Sequence, residues 1–440
     1  MTGAFLEKAD ILIHGCTILT TAGKDLMEDG VISIKDGRIV HIGKRSSSTS
    51  VKAEMTIDAK GKVAMPGLVN CHTHVPMTLF RGVVEDQPLS VWLKETIWPL
   101  EAKLKPDDVY VGALLGCLEM IKSGTTCFGD MYFHEDMVAR AVEESGLRAV
   151  LAEGIFGVEN RSEGENMLRR GVDFAKQFRG HADGRIDVML GPHAAYSCNP
   201  ELLKKVSEEA SRLGVSVCIH LAESRELFAK LEEKYGVGEI EFLDGLGFLT
   251  DRVVAAHCVD LSDEDMRVLG KRKVNVAYCP VANLKLGLGI ARVKNLADLG
   301  VNVGFGTDGP ASNNCLDMFE TVKVGALIQK NAYSDPSVFS ASEALKMATV
   351  NGARALHSED SVGVLEVGKK ADLILVDFRK PHLTPSHNVY ANLVYSARGS
   401  DVDTMIVDGK ILMENGQVKT LDEQAVMERA EQTACNLTSH

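Results

Sequence analysis

Two histidines one residue apart, in the run Asn70-Cys71-His72-Thr73-His74, are the first residues of this chain whose types and spacing could do chemistry. Side chains alternate along an extended segment, so both imidazoles face one side and can share a metal ion. Further groups of the same kind close short apolar runs later in the chain: His193, His220 with Glu223 three residues on, His257 and Asp308. A lone buried histidine is more often a hydrogen-bonded core residue than a ligand, and taken singly His193 or His257 reads that way. Packing does not explain the whole set, because a buried polar group is costly unless it is paired or metal-bound. His72, His74, His220 and Asp308 are therefore the expected ligands. Three imidazoles and a carboxylate favour Zn2+, with Fe2+ and Mn2+ as competitors, and they leave a position for water, which points to catalysis. Thr73 and Cys71 fall on the other face and read as packing residues.

Such a set needs a scaffold that brings distant strand ends together. The middle of the chain repeats a short apolar run followed by a longer amphipathic segment, the pattern of parallel βα units. Eight runs qualify: Val63–Asn70, Thr125–Asp130, Arg148–Ile155, Ile186–Gly191, Ser216–Ile219, Val253–Ala256, Val274–Ala277 and Val301–Gly306. They predict a closed (β/α)8 TIM barrel, whose chemistry gathers at the C-terminal ends of its strands. Asn199-Pro200-Glu201 and Ser262-Asp263-Glu264 supply helix starts, and Gly214 a helix end. An open doubly wound sheet is the alternative, weakened by the lack of a G-x-G-x-x-G turn after the first strand. The fourth run has no lysine that could be carboxylated to bridge a second metal, so one ion is expected.

The ends of the chain alternate instead with period two, around the turn pairs Asp29-Gly30, Asp36-Gly37 and Asp408-Gly409. These read as antiparallel hairpins. They predict one small composite β-sandwich built from residues 1–64 and 366–440, the latter with a C-terminal helix, beside a barrel over residues 65–365. The length of 440 residues suits one large and one smaller domain.

A net charge of −13 disfavours a grip on nucleic-acid polymers, although a nucleoside remains compatible. No stretch approaches the ~20 apolar residues of a membrane span. The opening residues Met1 to Lys8 lack the pattern of a signal peptide, so a cytoplasmic location is expected. Ten cysteines form no C-x-x-C pair, and Cys117, Cys127, Cys218, Cys258 and Cys279 lie in apolar stretches as reduced, structural thiols.

The run Pro66-Gly67-Leu68-Val69-Asn70-Cys71-His72-Thr73-His74, with His220-Leu221-Ala222-Glu223 and Gly306-Thr307-Asp308, resembles the amidohydrolase superfamily. The likeness covers nearly the whole chain, including Gly363 to Leu375, the return into the β domain. Within the superfamily, Met77-Thr78-Leu79-Phe80-Arg81-Gly82 and the segment from Trp92-Leu93 through Trp98-Pro99-Leu100-Glu101 are similar to deaminases of 5′-substituted adenosines. The resemblance implies hydrolysis of 5′-deoxyadenosine, methylthioadenosine, S-adenosylhomocysteine or adenosine to the inosine analogue and ammonia, by a metal-activated water attacking C6. It implies His72, His74, His220 and Asp308 as metal ligands, Glu101 on the ribose hydroxyls, and His193 and Glu223 on the purine. Glu223 would carry a proton to N1, His257 would orient the water, and Asp308 would help deliver a proton to departing ammonia.

One position departs from the pattern. Relatives that handle S-adenosylhomocysteine tend to carry arginine in the third strand, where this chain reads Leu151-Ala152-Glu153-Gly154. Glu153 would repel that substrate's carboxylate, unless it merely pairs with an arginine such as Arg161, so neutral 5′ groups are expected first. The rivals are a deaminase or hydrolase of the same superfamily acting on a guanine, cytosine or triazine ring, and a barrel scaffold that has lost catalysis. The resemblance further implies salvage of S-adenosylmethionine by-products and a homo-oligomer, dimer or tetramer.

Overall fold

The structure is a computed structural model that describes residues 8–20, 26–45, 52–157 and 161–438. Strands β1 (Ala9–Leu19), β2 (Leu26–Lys35) and β3 (Arg38–Lys44) pair antiparallel in chain order. The β2–β3 turn is made by Asp36 and Gly37, both at positive φ, as the Asp-Gly pair predicts. Strands β4 (Ala53–Asp58) and β5 (Lys62–Pro66) run parallel to β1 on its other side.

The next strand corrects an expectation. The run Val63–Asn70 is not one barrel strand but two strands in two sheets: β5 ends at Pro66, and β6 (Leu68–Thr73) opens the barrel. The break is Gly67, where an added Cβ would lie 2.0 Å from Thr126 Oγ1. Its N–H donates to the Asp372 carbonyl in the small sheet at 3.2 Å, while the Leu68 N–H donates to the Gly124 carbonyl at 3.0 Å. Both halves of the run are buried, so hydrophobicity carries no sign of the handover.

From β6 the barrel proceeds through β7 (Thr125–Tyr132), β8 (Arg148–Ile155), β9 (Ile186–Pro192), β10 (Ser216–Leu221), β11 (Val253–His257), β12 (Asn275–Tyr278) and β13 (Asn302–Phe305). The eight strands neighbour one another in chain order, with parallel ladders throughout. The ring is closed at the strand exits. The Asp308 N–H donates to the His72 carbonyl at 3.0 Å, Asn70 Nδ2 to Thr307 Oγ1 at 2.7 Å, and the Thr307 N–H to Asn70 Oδ1 at 3.0 Å. The helix Pro200–Leu213 starts at Asn199, whose side chain accepts the Leu202 N–H, and ends at Gly214 with φ 66°. The helix Asp263–Arg272 is opened by a capping box between Ser262 and Asp265. The connection from β6 to β7 is the longest before the eighth strand. It carries a π-helical turn, Trp92–Ile97, and the short helix Trp98–Glu101 before the long helix Pro106–Ser123.

The chain then returns to the small sheet as β14 (Leu373–Asp377), β15 (Val402–Val407), β16 (Lys410–Glu414) and β17 (Gln417–Val418). Strand β14 pairs antiparallel with β5, so strands from both ends of the chain form one hydrogen-bonded sheet. Its face encloses a core of Ile11, Ile13, Ile32, Ile34, Leu373 and Leu375. The C-terminal helix Glu423–Thr438 packs on the helix Pro106–Ser123. All ten cysteines are free thiols, and burial pushes Cys117, Cys127 and Cys218 up to about 12. Among the described residues, no helix is long and apolar enough to cross a membrane.

Candidate metal centre and active site

His72 and His74 leave β6 on the same side, as strand alternation requires. The Nδ1–H of His74 donates to the Met131 carbonyl at 2.6 Å, and that of His220 to the His193 carbonyl at 2.8 Å. These bonds select the tautomer whose Nε2 lone pair is free for a metal. His74 Nε2 lies 3.2 Å from His220 Nε2, and Asp308 Oδ1 lies 3.3 Å from His74 Nε2 and 3.5 Å from His72 Nε2. One donor atom from each of the four residues falls within 4.8 Å of all the others. A tetrahedral ion with bonds of about 2.05 Å has its donors about 3.3 Å apart, so the set fits a zinc-sized ion. His72 Nε2 is buried with no hydrogen-bond partner in the chain, a cost that an ion at this point removes.

Asp308 takes its place through backbone strain. It sits at φ 63°, a left-handed position that is unfavourable for a residue with a Cβ. The His72 carbonyl holds its N–H, and Ser312 Oγ donates to its Oδ2 at 2.5 Å. Burial alone would raise its carboxyl, but the imidazoles of His72 and His74 hold it well below the usual carboxylate range. Burial also lowers His72 to about 4.

The remaining predicted residues surround this set. Glu101, His193, Glu223, His257 and Asp308 line one pocket with His74 and His220, while His72 lies beneath it. Glu223 Oε1 is 3.6 Å from His257 Nε2. The Nδ1–H of His257 donates to Asn283 Oδ1 at 2.8 Å, which turns Nε2 toward Glu223. Burial raises the Glu223 carboxyl, with His257 opposing. His193 is hydrogen-bonded through Nδ1 to Ser197 Oγ at 2.8 Å and stacks on Phe156 with ring centroids 4.4 Å apart. Burial, with the neighbouring imidazoles, lowers it to about 3, so it works as a neutral ring. Burial pushes Glu101 up to about 7, against the Tyr132 hydroxyl and His74. Trp92, Leu93, Ile97 and Trp98 add apolar surface to the same pocket.

Glu153 is not in this pocket. It lines an adjoining cavity of about 440 Å³ with Glu101, Phe133, Met167 and Arg170. Its Oε2 accepts the Glu135 N–H at 3.0 Å, and burial raises its carboxyl against His134 and Arg170. The Arg161 side chain, its expected partner, lies outside the described residues. Sequence reasoning missed Asn283 and Ser312, which orient His257 and Asp308. Each sits in a loop or short helix after its strand, with no local pattern to mark it.

Comparison with known proteins places these observations. A model of the amidohydrolase family matches residues 63–412. A 5′-deoxyadenosine deaminase of Methanosarcina acetivorans is 50% identical over 434 residues, 98% of this chain and 99% of that one. A 5-methylthioadenosine/S-adenosylhomocysteine deaminase of Moorella thermoacetica is 50% identical over 417 residues, covering 94% and 97% of the two chains. The crystal structure of an adenosine deaminase from Xanthomonas campestris with bound zinc superposes with a TM-score of 0.95 at 33% identity, over 99% of this chain and 100% of that one.

Proposed function

The chain belongs to the amidohydrolase family, and from that premise we propose that it deaminates the adenine ring of 5′-substituted adenosines hydrolytically, giving the inosine analogue and ammonia. One observation carries the reading: a buried carboxyl, Glu223, stands 3.6 Å from His257 on the rim of a three-histidine, one-aspartate cluster. The chain that builds this rim is half identical, over nearly its whole length, to a 5′-deoxyadenosine deaminase.

His72, His74, His220 and Asp308 would hold one divalent ion, and three imidazoles with one carboxylate favour Zn2+ over Fe2+ or Mn2+. When bound, such an ion supplies Lewis-acid activation of water, lowering its pKa toward about 7. The chain's own residues do the rest. Glu223, its carboxyl raised by burial, takes a proton from the attacking water and delivers it to the ring nitrogen beside the reacting carbon. His257, fixed by Asn283, presents Nε2 to the pocket and orients the attacking water. Asp308, steadied by Ser312 and kept ionised, takes the second proton of the attacking water and passes it to the departing ammonia as the C–N bond breaks. Neutral His193 on Phe156 meets the purine, and Glu101 takes the ribose hydroxyls.

Glu101 lies on the wall shared by the metal pocket and the adjoining cavity, so a 5′ group leaves the sugar toward Phe133, Met167 and Glu153. The largely apolar wall, with the charge of Glu153 set against that of Arg170, favours a neutral 5′ group, 5′-deoxyadenosine or methylthioadenosine, over S-adenosylhomocysteine. A kcat/KM for S-adenosylhomocysteine far above those of the other two overturns this preference. The proposal extends to a cytoplasmic homo-oligomer, dimer or tetramer, in salvage of S-adenosylmethionine by-products, supported by the family resemblance and read out by sedimentation. For the central claim the test is Glu223→Gln. It is expected to keep about one metal ion per chain by elemental analysis and to lose at least about 100-fold in kcat. Near-normal turnover with metal bound sinks the proton-shuttle role.

A further inference from the structure

Between the metal ligand His220 and Glu223 the chain makes a turn that its own sequence does not favour. Ala222 sits at φ 47°, left-handed backbone that a Cβ makes unfavourable. Its two peptide groups are clamped from opposite sides. The Ala222 carbonyl accepts the N–H groups of Val259 and Asp260, both at 2.9 Å, and the Leu221 carbonyl accepts that of Cys258 at 2.9 Å. These bonds tie the turn to the exit of β11, where His257 and Cys258 are themselves left-handed at φ 73° and 52°. On the other side, the Ala222 N–H donates to Glu239 Oε2 at 2.9 Å.

Glu239 opens the short helix Glu239–Gly245 and is only 5% exposed. A carboxyl this deep needs a reason, and nothing in the reaction reaches it directly. We infer that Glu239 is a positioning residue for Glu223, its carboxyl holding the left-handed turn at Ala222 that presents Glu223 to His257. This rests on the reading of Glu223 as the proton carrier. Without the Glu239 acceptor, the Ala222 N–H is left unpaired in the interior and the strained turn loses one of its two clamps. His220, one residue pair earlier and held within β10, keeps its place. The loss therefore falls on Glu223 and not on the metal. Burial pushes the Glu239 acid up to about 8, against the Ala222 amide. At neutral pH it is mostly a neutral acid, of the same shape as glutamine.

The test is a double-mutant cycle on the metal-loaded enzyme, with Glu239→Gln and Glu239→Leu each made in the wild-type and Glu223→Gln backgrounds. Displacing a catalytic group by about 1 Å can cost about 100-fold, so Glu239→Leu should lose between about 10-fold and 100-fold in kcat. KM and metal content should stay within about twofold. Glu239→Gln, which keeps an acceptor oxygen, should recover most of kcat. In the Glu223→Gln background Glu239→Leu should cost less than about twofold more, because the group it positions is already gone. Wild-type kcat in Glu239→Leu, a loss that tracks lost metal, or a loss repeated in full in the Glu223→Gln background overturns the inference alone. Normal turnover in Glu223→Gln overturns the reading of Glu223 itself. If the leucine variant does not fold, Glu239→Asp, which withdraws the acceptor by one methylene, takes its place in the cycle under the same criteria.

Discussion

Three of the four proposed ligands are aimed by an atom they do not offer to the metal. Met131 and His193 carbonyls hold the far nitrogens of His74 and His220, and Ser312 holds the far oxygen of Asp308. Behind Glu223 the same logic uses Glu239, and that residue yields a pH prediction. Its acid is raised from its ordinary 4.5 to about 8 by burial, so the folded chain binds the proton more tightly than the unfolded one. The stabilising contribution is therefore complete below about 4.5 and is lost as pH rises through about 8. Glu239→Gln removes the titration. Between pH 5 and 8 wild type should lose stability relative to the variant, with a slope of at most about 1.4 kcal/mol per pH unit. Urea midpoints of the metal-loaded proteins measure it, and a difference that stays flat across that range contradicts it.

At the scale of elements, the handover from β5 to β6 decides where the first two ligands stand. Gly67 passes so close to Thr126 that even a methyl group meets Thr126 Oγ1 at 2.0 Å, Cγ2 at 2.2 Å and Cβ at 2.6 Å. The strand that carries His72 and runs directly into His74 begins one residue later, so a shift forced here is passed along β6 to the proposed metal site. Gly67→Ala should destabilise the protein by about 1–3 kcal/mol, seen as a lowered thermal midpoint together with weaker metal retention against a chelator. A variant that keeps both wild-type values shows that the neighbouring strand yields and the contact is not limiting. The β6–β13 closure works in the same direction, since Asn70 joins Thr307 beside Asp308 and sets the fourth ligand against the first two.

Over the whole molecule, the barrel and the small sheet are tied by a buried ion pair. Arg148 of β8 reaches Asp372, just before β14, with Nε to Oδ2 at 2.8 Å and Nη2 to Oδ1 at 3.1 Å. Asp372 also accepts the Asp408 N–H at 2.8 Å, which pins the β15–β16 turn to the same point. Both partners are buried, so removing one strands a charge. Arg148→Leu should cost about 3–5 kcal/mol, and Arg148→Leu with Asp372→Leu should recover much of it. Chemical denaturation checks both, and a single-variant cost below about 1 kcal/mol would mean that the pair is not what joins the two parts.

Much of the site was legible because it obeys local rules. Alternation along one strand puts His72 and His74 on one side, and the ends of successive apolar runs mark His193, His220, His257 and Asp308. Asn199, Ser262 and Gly214 announce their helix ends by the hydrogen bonds that their own side chains and backbones can make. Tertiary structure alone decided what depends on distant chain. The break at Gly67 exists because Thr126 crosses it, and both flanking strands are equally buried. Asn283 and Glu239 act on residues 26 and 17 positions away through hydrogen bonds that no periodicity encodes. The ligand types follow from the sequence, whereas the spacing that makes them one site follows from the closure of the barrel, which brings together the side chains of Asn70 and Thr307, separated by 237 residues.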